Sequence, residues 1–452
     1  MSKKRVTKKS KKTIMTICVI AILLGGLVIG GFFLFRAVSP RYIHKINNVS
    51  QLCAMESGKS YALNCDIDLN GAVWESKSVY NFNGNGHTIK NANITSMAAH
   101  KIYSGFFATA NKISNLNFEN IRVVIPSASD GSNYIGIVCG ISSTIENVHI
   151  KNSILRVYTS AQYTYKIGGI SGQGAKFINC SVENCNLRLT GQHKHKDYWS
   201  HFGGIVGFSE SGTEITDCKV TDSEMFYSTQ TNSNIGLFAG EIKDKAVLNR
   251  LVAYNNSIQL DSSATNYPAR VGGLIGNMDA AAGNLQNSAS ISNEITCTAN
   301  DRFCVGGLIG RNSGTIKNCI SDLNVINGIT KNTEDTAIAY TAGFCAVNYG
   351  TITRSIAQNC AVNGSESDSN MEAGPTAGFC ALGSGAISYC SAWQITLAGK
   401  NKYNFVASAE NLFHCLENPD NKQWNEVLTV LDLDGELWKF DKKLILKIAE
   451  EI

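Results

Sequence analysis

The stretch VGGLIGRNSGTIKNC, Val305–Cys319, decides the fold of this chain. Its first six residues recur at Val271–Gly276, and Gly306 serves as a register mark for similar strings elsewhere. Equivalent positions are Gly105, Gly136, Gly168, Gly203, Gly236, Gly272, Gly306, Ala342 and Ala377, within strings such as IGIVCG, IGGISG, FGGIVG, IGLFAG and TAGFCA. Nine marks, 31 to 36 residues apart, describe a stacked repeat and not a set of globular domains. A phosphate-cradling loop is the other reading of a glycine-rich stretch. Gly306, Gly307 and Gly310 do not keep Gly-x-Gly-x-x-Gly spacing, and nine nucleotide loops in one chain have no use.

The second half of each unit aligns as well. A small or apolar residue stands at Leu116, Val148, Cys180, Cys218, Leu251, Ser288, Cys319, Ser355 and Cys390. Four residues later come Asn120, Asn152, Asn184, Asp222, Asn255, Ser292, Leu323, Asn359 and Gln394. The spacing predicts three short strands per unit, for example GGLIG, TIKNCIS and NVING, stacked into three parallel sheets around a narrow core. Parallel strands lie ~4.8 Å apart, so equivalent side chains lie on top of one another. Asn120, Asn152, Asn184, Asp222, Asn255 and Asn359 are then a structural ladder, hydrogen-bonding from unit to unit at a turn. The cysteines in the inward column act as compact apolar filler. The predicted fold is all-β: a right-handed parallel β-helix. A leucine-rich repeat fits less well, because the asparagine arrives one place early. A propeller blade needs four antiparallel strands in ~40 or more residues.

Composition agrees with a turn-rich β chain. Of 452 residues, 44% are apolar and only 17% charged, with 41 glycines against 5 prolines. The basic tail MSKKRVTKKSKK precedes an uncharged stretch, Thr13–Phe35, long enough to cross a hydrocarbon core of ~30 Å. The expectation is an uncleaved transmembrane helix with a cytoplasmic N-terminus and the remaining chain extracellular. Setting aside the seven basic residues of the tail turns the net charge of +4 to about −3, which argues against a nucleic-acid partner. The expected domains are a basic tail (1–12), an anchor (13–35), a linker (36–45), an N-terminal cap with the first coil (46–101), nine units (102–400) and a C-terminal cap (401–452). The 15 cysteines include no Cys-x-x-Cys pair.

YALNCDIDLNG (Tyr61–Gly71), FNGNGHTIKN (Phe82–Asn91), the GGLIG units with Ile-x-Asn-Cys endings and the closing LWKFD resemble the GLUG-motif repeat proteins of bacterial surfaces. Those occur in adhesin-like proteins and beside immunoglobulin-A-cleaving peptidase domains. The resemblance covers roughly residues 45 to 447 and implies a β-helical stalk or adhesin module. It carries no peptidase across, because no histidine here is followed by glutamate as His-Glu-x-x-His requires.

No cofactor is expected. The serious enzymatic rival is a polysaccharide lyase or glycoside hydrolase, which needs paired carboxylates on one face. Asp66 and Asp68 alternate suitably but sit in a capping segment. Asp432, Asp434 and Glu436 lack the later ligands of a calcium loop. The unusual composition lies in YTSAQYTYK, GQHKHKDYWSHF and MFYSTQTNS, between Tyr158 and Tyr227, read as loops on three consecutive coils. Stacking is expected to gather Tyr163, Tyr165, Tyr198, Trp199 and Tyr227 on one edge beside His193 and His195, suiting a glycan or surface-protein ligand. His193, His195, Asp197 and His201 also have the residue types of a transition-metal site, although a solvated polar loop is the expected state. The function expected is a non-enzymatic, membrane-anchored adhesin. A structural stalk and a polysaccharide-degrading enzyme are the alternatives.

Overall fold

The computed structural model describes residues 42–95, 102–128, 132–159, 164–209, 212–262, 268–279, 283–300, 302–330, 338–365, 374–399, 401–407, 411–417, 438–441 and 443–446. The expected anchor at 13–35, most of the expected C-terminal cap and the Asp432–Glu436 stretch lie outside them. Among the described residues no helix is long and apolar enough to cross a membrane.

The chain winds into an all-β parallel solenoid of about eight turns with almost no helix. Eight of the nine register marks are joined in one chain of partners: Gly136, Gly168, Gly203, Gly236, Gly272, Gly306, Ala342 and Ala377. The ninth, Gly105, follows Ser104, which pairs with Ile135.

An early coil runs in the three expected strands, Cys139–Lys151, Ile154–Thr159 and Tyr165–Gly168, whereas the later coils are more finely divided. One coil runs Ile275–Asp279, Asn284–Gln286, Ala289–Ile291, Glu294–Ala299 and Phe303–Gly306. All five strands pair in parallel with their counterparts one coil on, through Ile275↔Ile309, Leu285↔Ile316, Ser290↔Ser321, Ile295↔Ile326 and Val305↔Thr341. The hydrogen bonds merge these columns into two large sheets, not three.

The corners come from backbone sterics, whether or not the strand is interrupted at them, and Asn147 lies within Cys139–Lys151. In every unit two residues five apart adopt positive φ, as at Asn287 (50°) and Ser292 (53°), or Asn147 and Asn152 (both 52°). The left-handed region costs an ordinary L-residue about 1–2 kcal/mol, and Asn or Asp tolerate it best. The expected asparagine column is the second of these corners. The first, at Asn115, Asn147, Asn179, Asp217, Arg250, Asn287, Asn318, Arg354 and Tyr389, lies immediately before the inward column. Side chains stack at both. Asn147 donates to Asn115 and accepts from Asn179, each at 2.9 Å, and Asn184 donates to Asn152 at 2.7 Å. A buried ladder runs one residue beyond the second corner, where Asn293 Oδ1 accepts from the Asn256 nitrogen at 2.9 Å and Asn324 Oδ1 from the Asn293 nitrogen at 2.8 Å.

The glycine string makes a third corner. VGGLIG is not one strand: a strand ends at Gly306, the chain bends through Gly307 and Leu308, and a new strand starts at Ile309. A Cβ on Gly310 would stand 2.6 Å from the Gly276 oxygen and 2.8 Å from the Val271 nitrogen. Only a hydrogen fits where two strands press backbone to backbone.

Inside, equivalent residues form columns. Phe344, Phe379 and Phe405 stack at 4.6 and 5.1 Å, and Leu116, Val148, Cys180, Cys218 and Cys319 are buried. All 14 described cysteines are free thiols, including Cys345 and Cys380, which face each other across adjacent coils. At the N-terminal end stands a short helix, Val49–Cys53, capped by the Asn48 side chain and burying Leu52. Trp438–Asp441 pairs antiparallel with Lys443–Leu446.

Two expectations follow. Leu323 occupies a left-handed corner while its side chain is exposed, so Leu323→Asn should raise stability by about 1 kcal/mol in denaturant titration. Thiol titration of the denatured, unreduced chain should recover at least 14 thiols from its 15 cysteines. In the native chain exposed Cys53 should react first, because burial pushes Cys319 and Cys360 each up to about 12.

Candidate functional site

At the glycine corner the outward side chains of two successive strands meet. Outward side chains diverge at a convex corner, so their contact marks a re-entrant edge running along the solenoid. One wall stands two residues before each register mark: Lys166, His201, Asn234 and Arg270 are consecutive partners. The other wall stands five residues after it: Gln173, Phe208, Glu241, Asn277 and Arg311.

Lys166 Nζ donates to Gln173 Oε1 at 2.9 Å and lies 3.9 Å from the Phe208 ring centroid. His201 Nδ1 is 3.1 Å from Glu241 Oε2 and 3.2 Å from Asn234 Nδ2. Asn277 donates to Glu241 Oε1 at 3.0 Å. Trp199 lies under the Arg270 guanidinium at 4.3 Å, and Tyr349 under that of Arg311 at 5.2 Å. His201, Asn234, Glu241 and Asn277 are all buried. The Oδ1 atoms of Asn234 and Asn277 have no hydrogen-bond partner among the described residues.

Burial, reinforced by Lys166, Lys243 and Arg270, holds the His201 imidazole well below its ordinary range and keeps it neutral. Burial also raises the Glu241 carboxyl, opposed by Lys243 and the Asn277 hydrogen bond. The edge is therefore a line of cations and aromatic rings around a sealed polar pair. Its chemistry is that of holding an anionic or ring-shaped ligand.

The residues expected here are only partly assembled. Trp199 is half-buried on the edge and pairs in register with Asn232, while Tyr198, also half-buried, precedes it in the chain. Tyr165 and Tyr227 do not belong to it. Both are fully buried, because they fall on the inward phase of their strands: Tyr165 two residues before core Ile167, Tyr227 between Leu189 and Leu260. Tyr163 lies outside the described residues, as do the side chains of His193, His195 and Asp197. Two of the three expected loops are paired strand instead, Asn186–Gly203 and Glu224–Gly236. His201 faces Glu241, and among the described residues no group of three or more metal-ligating side chains occurs. Lys166, Glu241, Arg270 and Arg311 were missed from sequence, although their fixed offsets from the register marks were there to be read. A Gly-Lys-Ser triplet does occur, at Gly58–Ser60, but it opens the strand Ser60–Leu63 and not the helix of a phosphate loop.

The unit around Gly306 holds all three corner types, and residues 301–326 match the family description of the GLUG motif. The chain carries the GLUG motif. A matched GLUG unit thus spans the glycine corner, both left-handed corners and the wall residue Arg311. One solved structure resembles the chain at 15% identity over 90% of this chain and 92% of that one, with a TM-score of 0.35. It is the crystal structure of a "putative immunoglobulin A1 protease" from Bacteroides ovatus. No curated protein matches the chain.

The neutral His201 sets a pH dependence. Its folded pKa lies below its unfolded one, so its contribution is complete above about 6.5 and is lost as pH falls. Melting temperature should therefore decline between about pH 7 and 5, and His201→Gln should flatten that decline relative to wild type.

Proposed function

We propose that this chain is a non-enzymatic, membrane-anchored, extracellular adhesin-like protein whose re-entrant edge around Trp199 binds a glycan or a surface-protein ligand. The observation that carries this reading is the Trp199–Arg270 stack set in a line of cations and aromatic rings. Aromatic faces beside fixed cationic donors are the means by which side chains hold sugars and acidic groups. The uncharged stretch at 13–35 supports anchorage, and the basic tail supports the orientation. The winding is taken as right-handed, the hand that crossovers between parallel strands adopt.

Against hydrolysis stands the state of the carboxylates. The backbone N–H of Thr88 holds Asp66 below its ordinary range, and Asn91 does the same for Asp68, so neither is poised as a general acid. Glu241 is raised, but only 6% of it is exposed and it is engaged by Asn277 and His201. That raised carboxyl is the one observation favouring a polysaccharide-degrading enzyme.

Full-length protein in detergent, screened on arrays of host and cell-wall glycans, should give hits that weaken at least tenfold on Trp199→Ala with the melting temperature unchanged. No hit, together with no membrane-protein partner in pull-down, leaves a passive stalk. Release of reducing or unsaturated sugar ends, abolished by Glu241→Gln, establishes the enzyme instead.

A further inference from the structure

We infer that the ligand of the re-entrant edge is a linear acidic polysaccharide, laid along the solenoid axis with its acidic groups on Arg270 and Arg311 and held at one flank by Lys166. This deepens the ligand-binding reading above and rests on it.

Arrangement is the first reason. Arg270 and Asn277 belong to one coil, and Arg311 follows Asn277 on the next rung of the same wall. Lys166 stands three rungs back from Arg270 on Arg270's own wall, through His201 and Asn234. At ~4.8 Å per rung, these cations spread over about 19 Å in line with the axis. A line of charge at multiples of one spacing complements a polymer with a regular charged repeat better than a compact ligand.

The second reason is that the two guanidinium groups are not closed into ion pairs within the described residues. Neither Arg270 nor Arg311 forms a salt bridge with any described carboxylate, and Glu241 turns to His201 and Asn277. Each guanidinium instead lies on an aromatic ring, Trp199 or Tyr349, which fixes its plane; Glu241 and Asp279 attract Arg270 without closing an ion pair with it. Planar guanidinium groups held this way present a fork suited to carboxylate or sulfate.

The third reason separates a glycan from a peptide. An extended peptide docks on a sheet by pairing its main chain with an open edge. Here the strands of the walls are hydrogen-bonded on both sides, to the coil before and the coil after, as Ala269–Gly272 is to Ser233–Gly236 and Phe303–Gly306. The walls offer side chains only. Side chains with charged forks and ring faces are what a sugar polymer uses.

The test is affinity electrophoresis of the full chain in detergent through gels containing polygalacturonate, a sulfated galactan, neutral dextran or single-stranded DNA, at low and high salt. The inference expects retardation by at least one acidic glycan and none by dextran, lost in high salt. Arg270→Gln and Arg311→Gln should each weaken retardation about tenfold, with Arg270→Lys partly restoring it. Both arginines are half-buried, and melting temperature serves as the control for folding. If dextran retards equally and both arginine variants bind as wild type, the acidic ligand is overturned while the glycan-binding edge survives. Equal retardation by DNA overturns the glycan in favour of any polyanion. If no glycan retards and Trp199→Ala changes no binding, the underlying reading fails as well.

Discussion

Parallel stacking at one fixed spacing governs everything else in this molecule. Once strands of successive coils are hydrogen-bonded in register, each residue has its own equivalent directly above and below it. Turns, core and surface are therefore all written as columns, and a residue is judged by whether it tolerates its neighbour in the column. Asparagine succeeds at the corners because it accepts a left-handed backbone and because its amide both donates and accepts along the stack, as Asn147 does between Asn115 and Asn179. Cysteine succeeds inside for a different reason: a narrow interior takes a compact apolar side chain, and burial keeps its thiol protonated.

The same constraint shapes the surface. The glycine corner brings two strands so close that backbone meets backbone at Gly310 and Gly276. Side chains that would otherwise splay into solvent converge, and a re-entrant edge results. Charged residues placed there lose water, so His201 stays neutral and Glu241 is raised although both lie on the outside of the coil. An apolar column in the same place would have made this edge a simple seam. Lys166, Arg270 and Arg311 make it a line of positive charge resting on aromatic rings.

The repeat, the parallel β-solenoid and the identity of the corner asparagines were legible from residue spacing, because a solenoid repeats its environment and so repeats its sequence. The number of strands per coil was legible only for the early coils, since three become five from Ala239 on. The first left-handed corner is occupied by Asn at some levels but by Arg250, Arg354 and Tyr389 at others, so composition alone did not mark it as a break. The aromatic residues expected on one edge divide between surface and core. Trp199 lies on that edge, whereas Tyr165 and Tyr227 turn inward, because the inward or outward phase of a strand depends on where the preceding corner falls.

Sequence by itself thus determined the stacking, since every unit carries the glycine corner and all but the last, with Tyr389 and Gln394, a turn residue suited to left-handed backbone. Only the tertiary structure decided the site. Lys166, His201, Glu241, Arg270 and Arg311 are separated by up to 145 positions between Lys166 and Arg311, and nothing local relates them. They meet because a corner folds the outer surface inward and because stacking converts a fixed offset from each glycine into a shared wall.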